Sequence, residues 1–155
     1  MVGEAKSLII EEGLPKGVRL RRITEEKDIQ AFSVMVDKSY GLNRAEQYAR
    51  RLIGLIAENK GVEIWAAEAD GTIIGGGRVD PVPGTDFAGL WAGGMLPEWR
   101  GQGIYRALTS VRARSALAMG KTLIQCDCSV YSRPILEWSG LVKISETTPH
   151  LWERP

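Results

Sequence analysis

The stretch Pro97-Glu98-Trp99-Arg100-Gly101-Gln102-Gly103-Ile104-Tyr105 places an arginine and two glycines at the mouth of a helical pattern. The first turn of a helix carries unpaired backbone N–H groups and a partial positive charge. Glycines let that backbone come close to a bound group, and Arg100 adds a full charge. Such a turn suits phosphate oxygens. The competing reading is a plain glycine turn, since a chain with 18 glycines produces Gly-x-Gly readily. Two phosphate patterns are excluded. The P-loop spacing fails at Gly120-Lys121-Thr122, because position 115 is serine and the segment follows a helical pattern instead of opening one. The dinucleotide pattern needs a third glycine where Arg106 stands.

A second group of reactive residues lies between Leu123 and Tyr131. Read as a strand, it puts Ile124, Cys126, Cys128 and Val130 on one face and Gln125, Asp127, Ser129 and Tyr131 on the other. A central strand beside a crossover helix is expected to be apolar on both faces. The polar row therefore lines an acceptor pocket, forms a buried hydrogen-bond network, or marks a strand nearer the sheet edge. Cys126 and Cys128 would sit on one face about 7 Å apart, a poor disulfide geometry. The single histidine, His150, is distant in sequence, so no zinc spacing arises and no metal is expected. The cysteines read as small buried hydrophobes. With no histidine near them and an apolar surrounding, they suit nucleophilic catalysis poorly. His150 reads as a surface or structural residue, and Trp65 and Trp91 as core or as walls of an aromatic pocket. Arg106, Arg112 and Arg114 read as the solvated face of a helix, with Arg106 near enough to the glycine turn to assist a phosphate.

The elements that must position these residues follow from periodicity. Val18 to Ile23 alternates as a half-buried strand. Thr24 caps a helix with Ile29, Phe32, Val36 and Tyr40 on one face, ended by Gly41. Asn43 and Glu46 form a capping-box-like start to a second helix, with Gly61 as its stop. Strands over 62–69 and 72–79 flank an Asp70-Gly71 turn. A glycine-rich strand covers 87–96, a helix 101–119, a strand 123–130, a short helix 132–139 and a last strand 142–152. The order β-α-α-β-β-β-α-β-α-β predicts an α+β fold, with a mixed, mostly antiparallel sheet flanked by helices and one βαβ crossover. Residues 1–17 read as an arm or an extra strand, and 18–155 as one domain.

The 155 residues are 44% hydrophobic, enough for one ordinary core. A net charge of +1 argues against non-specific nucleic-acid binding. No apolar run approaches a bilayer-spanning length of about 20 residues, and Leu8-Ile9-Ile10 is too short for a signal core. The expectation is a soluble cytoplasmic protein.

The stretch Leu96 to Ile104 resembles the acetyl-CoA loop of the GCN5-related N-acetyltransferases (GNAT), whose pattern is Q/R-x-x-G-x-G/A. Arg100 and Gly103 match it, and Tyr105 departs from the usual small residue. The element order and the ending Arg133 to Leu141 resemble the same family. The resemblance implies a GNAT-like fold over about 18–155 and a reaction without metal, in which acetyl-CoA is the cosubstrate and an amine of a small molecule or peptide the acceptor. It implies that backbone groups of Met95 and Leu96 hold the pantetheine arm, and that N–H groups from Gly101, Gln102, Gly103, Ile104 and Tyr105 hold the pyrophosphate. A strand bulge around Gly94 and Met95 would stabilise the oxyanion. The protein would be a monomer or homodimer, without nucleic-acid or membrane partners.

Two of the family's usual catalytic groups are missing. The 87–96 strand has no carboxylate, and the helix position that usually carries a tyrosine is Leu136. Asp127 is the first candidate base, ahead of Asp80 and Glu68, and Tyr131 or Ser132 the candidate acid. Direct acetyl transfer in a ternary complex is the leading reading. A non-catalytic acyl-CoA-binding or sensing domain is the alternative, and a CoA-independent interaction domain requires the loop match to be accidental.

Overall fold

The computed structural model describes residues 1–11, 13–148, 150 and 152. Among them run strands β1 (Val2–Glu4) and β2 (Val18–Ile23), helices α1 (Glu26–Tyr40) and α2 (Ala45–Ala57), and strands β3 (Glu63–Ala69), β4 (Thr72–Pro81) and β5 (Phe87–Met95). Helix α3 (Ile104–Ala118), strand β6 (Leu123–Gln125) and helix α4 (Arg133–Trp138) follow. One sheet orders the strands β1-β6-β5-β4-β3-β2. All neighbours are antiparallel except β5 and β6, which α3 joins as a parallel crossover. The α+β plan with a mixed, mostly antiparallel sheet is therefore the observed one.

Local chemistry sets the element ends. Gly41 closes α1 in the left-handed region and donates its N–H to Asp37 O. The expected Asn43–Glu46 capping box is absent. Instead, Asp37 of α1 accepts from the N–H groups of Arg44 and Ala45 at 2.7 and 2.6 Å, so one side chain ends a helix pair. The Asp70-Gly71 turn joins β3 to β4 with positive φ at both residues, which suits a tight hairpin.

The core has a helix layer on each face of the sheet. Ile29, Phe32, Met35 and Val36 of α1 and Ala49 and Leu52 of α2 pack with Ile64 and Ala66 of β3. On the opposite face Ala113 and Ala116 of α3 meet Val79, Ala88, Leu90 and Ile124. Residues 1–17 supply both a strand and an arm. β1 pairs with β6, a short 3-10 turn over Ala5–Leu8 buries Ala5 and Leu8, and Ile10 N donates to Ser110 Oγ at 3.0 Å. Helix α3 is thus covered on more than the sheet side, which is why Ser110, bonded to Ile10, is buried.

Two expected strands differ. The 123–130 strand stops at Gln125, where its pairing with both β1 and β5 ends. The expected strand over 142–152 is reduced, among the described residues, to one bridge between Val2 and Val142. Positions 149 and 151 of that stretch lie outside the described residues. β1 occupies the edge of β6, so residues 143–148 have no free ladder there and instead line cavities beside it.

The far edge of the sheet is tied electrostatically. Glu68 accepts from Arg19 Nη2 and Arg21 Nε, both at 2.6 Å, and Arg21 also reaches Asp28 of α1 at 2.6 Å. Arg21, then Arg19, hold the Glu68 carboxyl below its ordinary value of 4.5. A depressed carboxyl stabilises the fold above its unfolded pKa and loses that contribution as pH falls through the folded value. The wild-type thermal midpoint should therefore exceed that of Glu68→Gln at neutral pH. The two should converge as the pH is lowered below 4.5. A constant gap in melting curves across that range would remove Glu68 as the titrating group.

Candidate active site

Strands β5 and β6 part after the pair Gly89–Gln125, while β5 continues to Met95. The parting opens a cavity of about 520 Å³. Its walls include Trp91, Ala92 and Gly93 from β5, Cys126 to Ser129 beyond β6, Tyr105 and Arg112 from α3, and Tyr40 from α1. A second cavity of about 460 Å³ shares Trp91 and the 126–129 segment and runs under residues 143–148. Sites of this size take small organic ligands.

β5 carries a bulge here. Gly76 faces Gly94 and Arg78 faces Trp91, so Gly77 alone stands opposite Ala92 and Gly93. Ala92 has φ 50°, the left-handed backbone that lets the extra residue fit. The bulge lies at Ala92–Gly93, ahead of the Gly94–Met95 position that the sequence suggests. Tyr40 fixes it by donating its hydroxyl to Gly93 O at 2.7 Å.

The glycine turn enters α3 directly. Gly101 and Gly103 take φ 73° and 78°, and Gly103 is the residue that caps the helix. Among the described residues nothing accepts from the N–H groups of Gly101, Gln102 or Gly103. Those donors and the first N–H groups of α3 form a cradle for an anion, and the residues fit a pyrophosphate on that count. Arg100 does not point its charge freely. Its guanidinium donates to Met95 O at 3.3 Å and Ser39 O at 3.2 Å, which staples the turn to α1 and β5. Gln102 likewise turns back to Glu98 O. Ile104 is buried in the core under β4, and Arg106 stacks over Trp138 of α4 at 3.8 Å.

Among the backbone groups expected to hold the pantetheine arm, the Leu96 N–H and the Met95 carbonyl are engaged within the protein. Leu96 N–H donates to Ile74 O at 2.9 Å, and Met95 O receives Arg100. Among the described residues, the edge of β5 without a strand partner runs from Leu90 to Met95, and its Leu90–Gly93 part lines the cavity.

The candidate catalytic residues separate. Asp127 and Ser132 line the 520 Å³ cavity. Tyr131 is 87% exposed and lines neither cavity. Glu68 is held by its two arginines at the opposite edge of the sheet. Asp80 pairs with Arg78 at 3.0 Å, away from both cavities, and burial raises its pKa. Trp65 donates to Ser115 Oγ at 2.9 Å and packs with the α3 core, while Trp91 lines both cavities. His150 is exposed. Cys126 and Cys128 are free thiols that reach the cavity walls, and burial raises the pKa of Cys126, keeping it protonated.

Arg112 corrects the sequence reading most sharply. Expected on the solvated face of α3, it is 1% exposed. Its Nε donates to Leu108 O at 2.9 Å and its Nη2 to Thr109 Oγ1 at 3.2 Å. Nη1 lies under the bulge, so close that a Cβ on Gly77 would stand 2.4 Å from it. The signal was its spacing, four residues after Leu108 and four before Ala116, which places it on the sheet-facing stripe. The glycines that make room for it are remote in sequence. Beside it lies the Tyr105 phenol, whose pKa burial raises, against the opposing influence of Arg112 and Ser132. Tyr40 is raised for the same first reason.

The acetyltransferase (GNAT) family model matches residues 23–134. No curated protein matches the sequence. Among solved structures, glucosamine-6-phosphate N-acetyltransferase from Arabidopsis thaliana superposes with a TM-score of 0.71 at 16% identity, over 88% of this chain and 99% of that one. A predicted acetyltransferase with acetyl-CoA from Clostridium acetobutylicum gives 0.72 at 18% identity, over 86% and 96% of the two chains. A transcriptional regulator from Bacillus halodurans C-125 gives 0.70 at 20% identity, over 87% and 99%.

Proposed function

The chain belongs to the GNAT acetyltransferase family, and from that premise we propose that it transfers an acetyl group from acetyl-CoA to a primary amine, directly and in a ternary complex. The observation that carries this is the shared helix: α3 starts at the anion cradle of Gly101–Gly103, and its first turn puts Tyr105 in the wall of the cavity between β5 and β6. The cradle would hold the pyrophosphate, with Ile104 and Tyr105 adding N–H groups at the helix start. The open edge of β5 would hold the arm. The thioester supplies an electrophilic carbonyl bonded to a good leaving group.

The chain's own groups then have defined work. Asp127, at the cavity wall, accepts the proton that the attacking amine loses. N–H groups at the Ala92–Gly93 bulge stabilise the developing oxyanion, held in shape by Tyr40. As the C–S bond breaks, the new amide forms and the sulfur takes a proton from Tyr105, with Ser132 beside it. Solvent restores that proton. Tyr105 replaces Tyr131 in this role because it lines the cavity and Tyr131 does not.

Tyr105→Phe should lower kcat about tenfold, less than most general acids, because a thiol ionises near pH 8.5 and leaves readily. Burial raises the Tyr105 pKa above 10, so the basic limb of the wild-type kcat profile should fall only above pH 10. Unchanged kcat and profile in the variant would end its assignment. Asp127→Asn should lower kcat/KM about 100-fold, and an unchanged value in the thiol-release assay would end its assignment as the base.

The function itself is tested by calorimetric titration with acetyl-CoA, followed by a screen of amines for release of free thiol. Binding with turnover supports the enzyme. Binding without turnover on any amine supports the sensing reading, which the absent strand carboxylate and helix tyrosine favour. No binding overturns both.

A further inference from the structure

Arg112 is a cation almost sealed from water, and no carboxylate among the described residues pairs with it. Its hydrogen-bond partners, Leu108 O, Thr109 Oγ1 and the Tyr105 phenol, are neutral dipoles. Three titratable groups face it from three segments: Tyr40 at the end of α1, Tyr105 on α3, and Cys126 beyond β6. Burial keeps each of them in its neutral form. A buried charge is ordinarily paired, and an unpaired one is costly. The surroundings are built around this cation. Two strands lack side chains where its Nη1 lies, Gly77 and Gly93, and a Cβ on the latter would stand 3.4 Å away. The residue also lines the 520 Å³ cavity.

We propose that this cavity receives a carboxylate, carried by the acyl group or by the amine acceptor, and that Arg112 is its counter-ion. This rests on the acyl-CoA reading above and narrows it to a substrate class. A departing thiolate does not meet the need, because it exists only briefly and is then protonated, whereas a carboxylate stays charged throughout binding and turnover. A guanidinium and a carboxylate also match in fork geometry.

The test compares matched ligands on the wild-type protein. Succinyl-CoA is set against butyryl-CoA by calorimetry, and amino acids against their amides by KM in the thiol-release assay. The carboxylate-bearing member of one pair should be favoured by at least about tenfold. Preference within the first pair assigns the carboxylate to the acyl group, and within the second to the acceptor. Arg112→Met should erase the preference and Arg112→Lys should retain part of it. If these variants do not fold, the wild-type comparison still decides. Equal treatment of both pairs, with coenzyme A thioesters bound, overturns the proposal and leaves the acyl-CoA reading intact. Failure of every thioester to bind overturns both.

Discussion

Replacing Gly76 with alanine should lower stability by about 3 kcal/mol, a fall of roughly 6–12 °C in thermal midpoint for a chain of this size. The added Cβ would stand 2.7 Å from the Trp65 carbonyl oxygen and 2.7 and 2.9 Å from the Phe32 ring. The Trp65 carbonyl belongs to β3, which is paired on both sides, so it cannot yield without distorting two ladders. Phe32 is fully enclosed among Ile29, Met35 and Leu52 and has nowhere to turn. The neighbouring Gly75 gives the informative contrast. A Cβ there would approach Met95 Sδ more closely, at 2.1 Å, yet its severe overlap is with the end of a flexible side chain, and the nearest backbone atom, Gly94 O, is 3.1 Å away. Gly75→Ala should therefore be milder than Gly76→Ala, although its nominal overlap is greater. Thermal melts of the two variants side by side would decide, and the reverse order would show that backbone rigidity is not what limits this tract.

Gly103→Val should weaken acetyl-CoA binding about 100-fold, the loss expected when charge-assisted N–H contacts to phosphate are disturbed. Gly103 begins α3 at φ 78°, a conformation that a β-branched residue adopts only at a cost of roughly 1–2 kcal/mol. Relief of that strain rotates the N–H groups of the cradle away from their common focus. The protein should stay folded, because no hydrophobic contact of the core is removed. A pantetheine fragment without phosphate supplies the control and should lose less than about threefold. Equal losses for acetyl-CoA and the fragment, measured by calorimetry, would mean that the turn shapes the cavity and does not hold phosphate.

Features governed by neighbours in sequence were legible before the fold was known. Gly41 ends α1, Asp70-Gly71 turns the hairpin, and the glycine turn opens α3, because each depends on a local backbone conformation. The capping of α2 was missed because its acceptor, Asp37, comes from the preceding helix. The last strand was misjudged because strand propensity in 142–152 does not reveal that Val2–Glu4 already holds the edge of β6. Within the site, the anion cradle was visible as a motif. The tyrosine and arginine that line the cavity were not, because spacing alone sets Arg112 on the stripe of Leu108 and Ala116 without showing that a cation has room there. The room comes from Gly77 and Gly93, which are remote in sequence.

The pairing of β1 with β6 also bears on how the protein is made. Met1 and Cys126, 125 positions apart, are joined at this edge by a hydrogen bond. Contacts so distant in sequence carry a large loop-closure cost and form late. On a ribosome, the meander from β2 to β5 can assemble while β1 waits for a partner not yet synthesised. The cavity wall that begins at Cys126 takes shape only when that wait ends, so the nascent chain acquires the four strands β2 to β5 before it acquires the cavity.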